Sequence, residues 1–206
     1  MKLIDISPTL SPRTAVWPGD QRLERRVLCS ITDGANIELS SITSTVHIGA
    51  HADAPIHYHP DGQAISERPL EPYYGPCQVM RVRVERGERV FPTDLSGPVE
   101  APRLLLRTDT FPDPDRFTQD FASLSPDLVD HLAALGVTLV GIDTPSIDPF
   151  ESKALESHQA VYANDLAILE GLVLSHVEPG LYTLIALPLK LQGADASPVR
   201  AALVQA

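Results

Sequence analysis

The chain is 206 residues long, 43% hydrophobic and 21% charged, with a formal net charge of −11. These proportions are those of a soluble globular protein, expected as a single domain over 1–206. The acidic balance argues against a nucleic-acid surface and against adhesion to anionic lipid. No run reaches the roughly eighteen apolar residues of a membrane span, and Met1 to Ser7 lacks the apolar stretch of a signal peptide, so a cytoplasmic protein is expected. Cys29 and Cys77 stand too far apart for a disulfide framework or a zinc ribbon and read as buried free thiols. Nineteen prolines and twelve glycines predict many turns and little long helix.

Leu3 to Ser7 alternates apolar and polar residues as a short strand does. Residues 8–20 form a loop holding the only tryptophan, Trp17, beside the Pro18-Gly19 turn signal. A tryptophan there anchors the loop on the core or forms a wall for a flat aromatic ligand. Arg26 to Thr32 and Asn36 to Thr45 read as two strands joined at Asp33-Gly34, a hairpin signal.

That hairpin leads into Val46 to His59, which holds four of the seven histidines. His47, His51, Asp53 and His57 are all odd-numbered, so an extended segment projects them to one side. Gly49 on that side leaves room between two imidazoles, and Pro55 blocks continuation as regular helix or central strand. A lone histidine is commonly a hydrogen-bonded core residue, and a His-rich tract can lie on the surface. Clustered neutral imidazoles need partners that the neighbouring Ala and Gly side chains do not offer, and Ile48 and Ile56 argue for burial. Imidazole with carboxylate is a donor set accepted by zinc, manganese and iron(II). The stretch therefore reads as a metal site.

Asp61-Gly62 makes another turn and residues 69–76 are irregular. Gln78 to Val84 and Arg103 to Arg107 are predicted strands, the second leaving through Thr108 and Asp109. Ser125-Pro126 opens a helix with a cap and a first-turn proline, carrying Leu128, Leu132 and Leu135 on one stripe; Gly136 stops it. His131 lies off the stripe and faces solvent. Val137 to Ile142 is a buried strand ending in the acidic loop Asp143 to Asp148, which is either a rim of the site or an ordinary turn.

Residues 152–168 read as a helix capped by Ser152 and ending near Asn164 or Asp165, followed by strand-like Ile168 to Leu174. The change from helix to strand lets His158 and Glu170 converge on one point. Glu170 lies in an apolar segment, where a buried glutamate needs a partner or a metal; the alternative is a strand-end side chain facing water. Tyr182 to Leu191 is a long apolar strand interrupted by Pro188, and Pro198 to Val204 is the last. Many strands and few short helices predict an α/β fold that is β-rich, built on a mixed sheet.

The segment His47-x-Gly49-x-His51-x-Asp53-x-Pro55-x-His57 resembles the signature of the cyclase family of metal-dependent hydrolases. Further pieces of resemblance run nearly end to end: Ile4 to Leu10, the Trp17 loop, Gly141 to Asp148, His158 with Glu170, and Leu187-Pro188-Leu189-Lys190 with Gly193 to Arg200. The broader family usually has Thr at the position of Ala50. The family's arylformamidase branch resembles this chain there, and the Trp17 loop narrows the likeness to that branch. The resemblance implies a swivelling β/β/α domain, usually a homodimer. It implies a two-ion centre, most often zinc, with His47, His51, Asp53 and Glu170 around one ion, His158, Asp53 and Glu170 around the other, and both carboxylates bridging. Manganese or iron suits the same donors.

It further implies hydrolysis of N-formyl-L-kynurenine to kynurenine and formate by a metal-activated water, with His57 as the proton-transfer residue and Trp17 lining the substrate pocket. Two rival readings are hydrolysis of a cyclic amide such as isatin, by the same constellation, and metal binding without catalysis.

Overall fold

The computed structural model of the protein describes residues 2–205; Met1 and Ala206 lie outside that range. The strands begin with β1 (Lys2–Asp5), β2 (Glu24–Cys29), β3 (Leu39–Thr43), β4 (His51–Asp53) and β5 (Tyr74–Arg81). β6 (Arg89–Val90), β7 (Arg103–Arg107) and β8 (Ser123–Leu124) precede helix α1 (Pro126–Ala134) and β9 (Leu139–Ile142). Helix α2 (Glu156–Ala163) leads to β10 (Ala167–Glu170), β11 (Gly180–Ile185), β12 (Ala196–Pro198) and β13 (Ala202–Gln205).

Nine strands make one mixed sheet in the order β1-β13-β11-β5-β7-β9-β10-β4-β12. Its centre, β5-β7-β9-β10, is parallel. The remaining neighbours pair antiparallel. The predicted β-rich α/β fold is the one observed, with two α-helices among the described residues. None of the described helices is long and apolar enough to cross a membrane.

Strands at a parallel centre are buried on both faces and read as continuous apolar runs, which Leu104-Leu105-Leu106 illustrates. Leu104 and Leu106 pack on the helix-bearing face with Leu128 and Leu132 of α1, Val161 of α2 and Ile168 of β10. Leu105 packs on the other face with Ile6, Ala52, Cys77 and Leu169. Each such fully buried side chain stabilises the fold by roughly 1.5–3 kcal/mol.

Ser125 caps α1 by accepting from the Leu128 N–H, as its position before Pro126 predicts. Leu135 lies past the last helical turn and is exposed; Val129 is buried instead. α2 begins at Glu156 rather than at 152, because Leu155 adopts φ 50° and breaks the helical path. The Ser152 hydroxyl accepts from Leu155 N–H just ahead of the helix.

The last predicted strand is two strands, since the backbone leaves the ladder between Pro198 and Ala202. The predicted strand from Tyr182 stops at Ile185, before Pro188. Cys77 is the buried thiol expected, whereas Cys29 is only partly buried because β2 belongs to a separate two-stranded hairpin with β3, exposed throughout β3 and most of β2.

Two glycines hold the site's elements together. Gly49 has φ 58°, and a Cβ there would meet Leu10 at 2.5 Å. Its missing side chain thus admits the residue 8–10 loop, and does not make room between imidazoles. Gly171, with φ 64°, directly follows β10, and a Cβ there would lie 2.1 Å from the Gly49 carbonyl oxygen. Gly171→Ala should therefore destabilise the protein by at least about 2 kcal/mol, from left-handed backbone cost and displacement of Gly49. Chemical denaturation measures this, and a variant as stable as the parent would refute the close approach.

Candidate metal centre

The centre lies at the carboxyl end of the parallel strands, where open α/β sheets leave a crevice. β10 contributes Glu170 there, and β4 pairs antiparallel beside it with Glu170 opposite His51 and Ile168 opposite Asp53. Opposite residues share a face, and His51 and Asp53, two apart, share it too. Ala52, between them, points to the other face and packs with Leu169. α2 packs on the same face through Val161, so His158, three residues earlier on that side of the helix, reaches the carboxylates.

The strand holding the motif is only three residues long. His47 precedes it in a bent segment, and His57 follows it in the single 3₁₀ turn Pro55–His57. The four odd-numbered residues are therefore brought together, but only His51 and Asp53 by the pleat. Ile48 is buried as expected, while Ile56 is exposed because the turn after Pro55 rotates it outward. His59 turns away and stacks on Tyr162 with ring centroids 3.7 Å apart.

Asp53 sits in the middle. Its Oδ1 lies 3.0 Å from His47 Nδ1 and 3.4 Å from His51 Nε2, and its Oδ2 lies 3.4 Å from His158 Nε2. Glu170 spans the same two sides, with Oε2 3.3 Å from His51 Nε2 and Oε1 3.6 Å from His158 Nε2. Two donor groups result, His47–His51–Asp53 and Asp53–His158–Glu170, each with its ligand atoms within 4.8 Å of one another. A third such group joins His47 and His57 to Asp195.

Proton placement follows from what accepts. His51 Nδ1 lies 2.9 Å from the Gly49 carbonyl oxygen, which only accepts, so Nδ1 carries a proton and Nε2 is the nitrogen turned to the carboxylates. His158 Nδ1 lies 2.8 Å from the Asp148 carboxylate and donates to it in the same way. The His47 Nε2–H donates to Asp195 at 2.9 Å, leaving Nδ1 for Asp53. One nitrogen of each of three imidazoles thus faces the carboxylates, a lone pair towards a cation or an N–H when the ring is protonated. Buried His51 Nε2, His158 Nε2 and both Asp53 oxygens have no hydrogen-bond partner.

Such a cluster is stable only with positive charge between its members. Protons are one source. Burial opposes protonation of His51, but the Asp53 and Glu170 carboxylates within 3.4 Å of its Nε2 outweigh it and raise its pKa to about 10. His158 is raised well above its ordinary value, because Asp148, Asp53 and Glu170 overcome the same burial penalty. Burial likewise opposes ionisation of Asp53, but His158, His47 and His51 hold its pKa well below the carboxylate range. For Glu170, burial and the Asp53 charge are opposed by His158 and His51, and its pKa is lowered. A divalent cation meets the same demand with directed bonds, and the orphaned nitrogen and oxygen atoms fit one.

Asp148 orients the centre from behind. It accepts from Ser157 and His158 backbone N–H groups at the start of α2 and pairs with Arg89 at 3.1 Å. Burial would raise its pKa, but the His158 hydrogen bond prevails and brings it to about 2. The acidic loop is therefore neither an ordinary turn nor only a rim, for its last residue fixes an imidazole. Asp143, at its other end, is satisfied by the backbone N–H groups of Thr108 and Asp109 and by the Thr108 hydroxyl. Asp195, which no local pattern in the sequence pairs with a histidine, plays for His47 the part that Asp148 plays for His158.

His47, His51, His158 and Glu170 line the floor of a cavity of about 330 Å³ walled by Trp17, Phe111, Phe117 and Leu155. Trp17 is both anchored and exposed to the cavity: it stacks on Phe150 at 4.9 Å and meets Phe117 edge-on at 5.4 Å. His57 is the most open of the floor's histidines, with 35% of its side chain in solvent. Burial of the remainder pushes its pKa down, so it is neutral near pH 7.

Fold and donor set define a metal-dependent hydrolase architecture. A family model described as putative cyclase matches residues 4–149. The chain belongs to the cyclase family. Among solved structures it is similar to a potential metal-dependent hydrolase with cyclase activity, at 27% identity and TM-score 0.83, over 98% of this chain and 96% of that one. It is similar to a predicted metal-dependent hydrolase from Bacillus stearothermophilus, at 27% identity and TM-score 0.75, over 98% and 97%. It shares the fold of isatin hydrolase A from Labrenzia aggregata, bound to benzyl benzoate, at 22% identity and TM-score 0.79, over 100% and 94%.

Two measurements test the centre. Zinc titration of metal-stripped protein near pH 7 should release protons, because the raised pKa values of His51 and His158 leave a displaceable proton on each ring; binding without release would mean that both rings are neutral before the cation arrives. Asp148→Asn should weaken zinc about 10–100-fold. An unchanged affinity by calorimetry would reduce Asp148 to a helix cap.

Proposed function

We propose that the protein is an arylformamidase that hydrolyses N-formyl-L-kynurenine to L-kynurenine and formate, using two zinc ions held by His47, His51, Asp53, His158 and Glu170. The observation that carries this reading is one aromatic-walled cavity whose floor combines orphaned metal donors with an imidazole, His57, that belongs to neither of the two buried donor groups. Ions bound there would lower the pKa of a water towards about 7 and polarise a carbonyl oxygen.

The chain's own residues supply the rest. Trp17, with Phe111 and Phe117, receives the aniline ring against its faces and edges, an interaction of roughly 0.5–1.5 kcal/mol beyond area burial. Gly49 and Gly171 line the cavity beside the donors, and formyl, the smallest acyl group, makes the least demand on the space there. His57, neutral and beside His47 with ring centroids 4.2 Å apart, accepts a proton from the attacking water. It then delivers that proton to the anilide nitrogen as the carbon–nitrogen bond breaks, since an aryl amide anion is a poor leaving group. Asp195, 3.5 Å from His57 Nδ1, limits the ring's rotation between these two acts.

Ring opening of isatin is the second reading, supported by the fold shared with isatin hydrolases. Purified zinc-loaded protein should release formate from N-formyl-L-kynurenine much faster than it opens isatin, and the reverse order would make the second reading the correct one. His57→Ala should retain its zinc by elemental analysis while turnover falls about 10²–10⁴-fold. Turnover at the parent rate would remove His57 from the chemistry.

A further inference from the structure

The same cavity has an edge whose charges the hydrolytic chemistry leaves unused. Asp109 lines it, just past the carboxyl end of β7. Its carboxylate lies between two guanidinium groups: Oδ1 accepts from Arg107 Nε at 2.7 Å, and Oδ2 lies 3.0 Å from Arg81 Nη2. Arg81 and Arg107 are register partners on the parallel strands β5 and β7, so two like charges stand side by side with one carboxylate between them. Arg107 is tied down further by its Nη1 donating to the Val177 carbonyl, whereas Arg81 keeps 54% of its side chain in solvent.

The backbone at Asp109 is strained, with φ 59°. A non-glycine residue held there costs of order 1–3 kcal/mol and persists where surrounding structure enforces it. Asp143 enforces it here, accepting from Asp109 N–H at 2.9 Å while a Thr108 hydroxyl bond of 2.6 Å secures the preceding residue. Asp143 has no capacity left for a ligand; Asp109, at the cavity surface, does. Among the described residues lining the cavity none is Lys or Arg, and Asp20 is the one further carboxylate outside the floor and Asp143.

We infer that Arg81, Asp109 and Arg107 form a subsite for a zwitterionic α-amino-acid group at the end of the substrate away from the scissile amide. The ammonium donates to Asp109. Arg81 lies outside the cavity lining, so the carboxylate reaches past Asp109 to the Arg81 side chain, 3.0 Å from Asp109 and 54% exposed. Arg107 holds Asp109 in position and makes no ligand contact. This assignment rests on the aryl formamide reading for the identity of the substrate, but the charge pattern it uses is independent of the reaction.

The test compares ligands with and without the amino-acid group. Calorimetry on the zinc-loaded protein measures binding of L-kynurenine and of 2-aminoacetophenone, and formate release is followed from N-formyl-L-kynurenine and from 2-formamidoacetophenone. The parent should bind L-kynurenine at least tenfold more tightly than 2-aminoacetophenone. Asp109→Asn, which tolerates the left-handed backbone, and Arg81→Gln should each reduce that preference to less than threefold.

In turnover, the ratio of KM values for the two formamides should change in parallel. A preference unchanged in both variants, or lost equally for both ligands, would reduce the cluster to a strap between β5 and β7 and overturn the inference. So would loss of preference in Asp20→Asn with Asp109→Asn unaffected, or a parent that shows no preference at all. If the parent binds L-kynurenine with the expected preference yet releases formate from neither compound, the subsite stands and the proposed reaction falls.

Discussion

The register between β4 and β10 is the constraint on which the rest of the centre depends. Glu170 stands opposite His51 because the ladder is set by Ile168 facing Asp53 and Leu169 facing Ala52. A slip of one residue would turn Glu170 to the apolar face and bring Leu169 among the imidazoles. The Gly49–Gly171 approach forbids that slip from one end, and the burial of Ile168 and Leu169 in different cores forbids it from both faces. Ordinary apolar packing thus places charged groups that would repel one another if left to themselves.

The electrostatics follow from this enforced crowding. Burial alone would neutralise Asp53 and Glu170, yet three imidazoles beside Asp53 and two beside Glu170 reverse the direction. Each imidazole has its outer nitrogen committed, His51 to a backbone carbonyl, His158 to Asp148 and His47 to Asp195. Only the inner nitrogens remain, and all of them face carboxylate oxygen. The protein therefore builds a concavity with a fixed appetite for positive charge. His57 stands outside that arrangement, with its pKa moved in the opposite direction by burial.

Much of the centre was legible in the chain because its densest part is local. His51 and Asp53 are two apart on a strand, a relation the pleat guarantees, and the helix-to-strand change between His158 and Glu170 foretold their convergence. An extended path does not run through the whole motif, since the strand spans only His51–Asp53 and the clustering of His47 and His57 comes from bends. Gly49 serves the packing of Leu10, which no local pattern reveals. Asp195 and Asp109 were not legible as site residues, for their partners lie across the sheet or on a neighbouring strand. Helix α2 began later than its composition suggests, because the strain at Leu155 is a tertiary effect, and Leu155 lines the cavity that benefits from it.

The scattering of the donors along the chain has a consequence for biosynthesis. Asp195 and His47 are 148 residues apart in sequence and touch only in the finished sheet. At roughly 5–20 residues per second, the ribosome needs on the order of ten seconds to deliver the second after the first. Until Glu170 is delivered, the histidine stretch also lacks the β10 strand that pairs with it. A metal held here would thus meet its full donor set only after the late strands dock, which would tie its tight binding to correct assembly of the whole sheet.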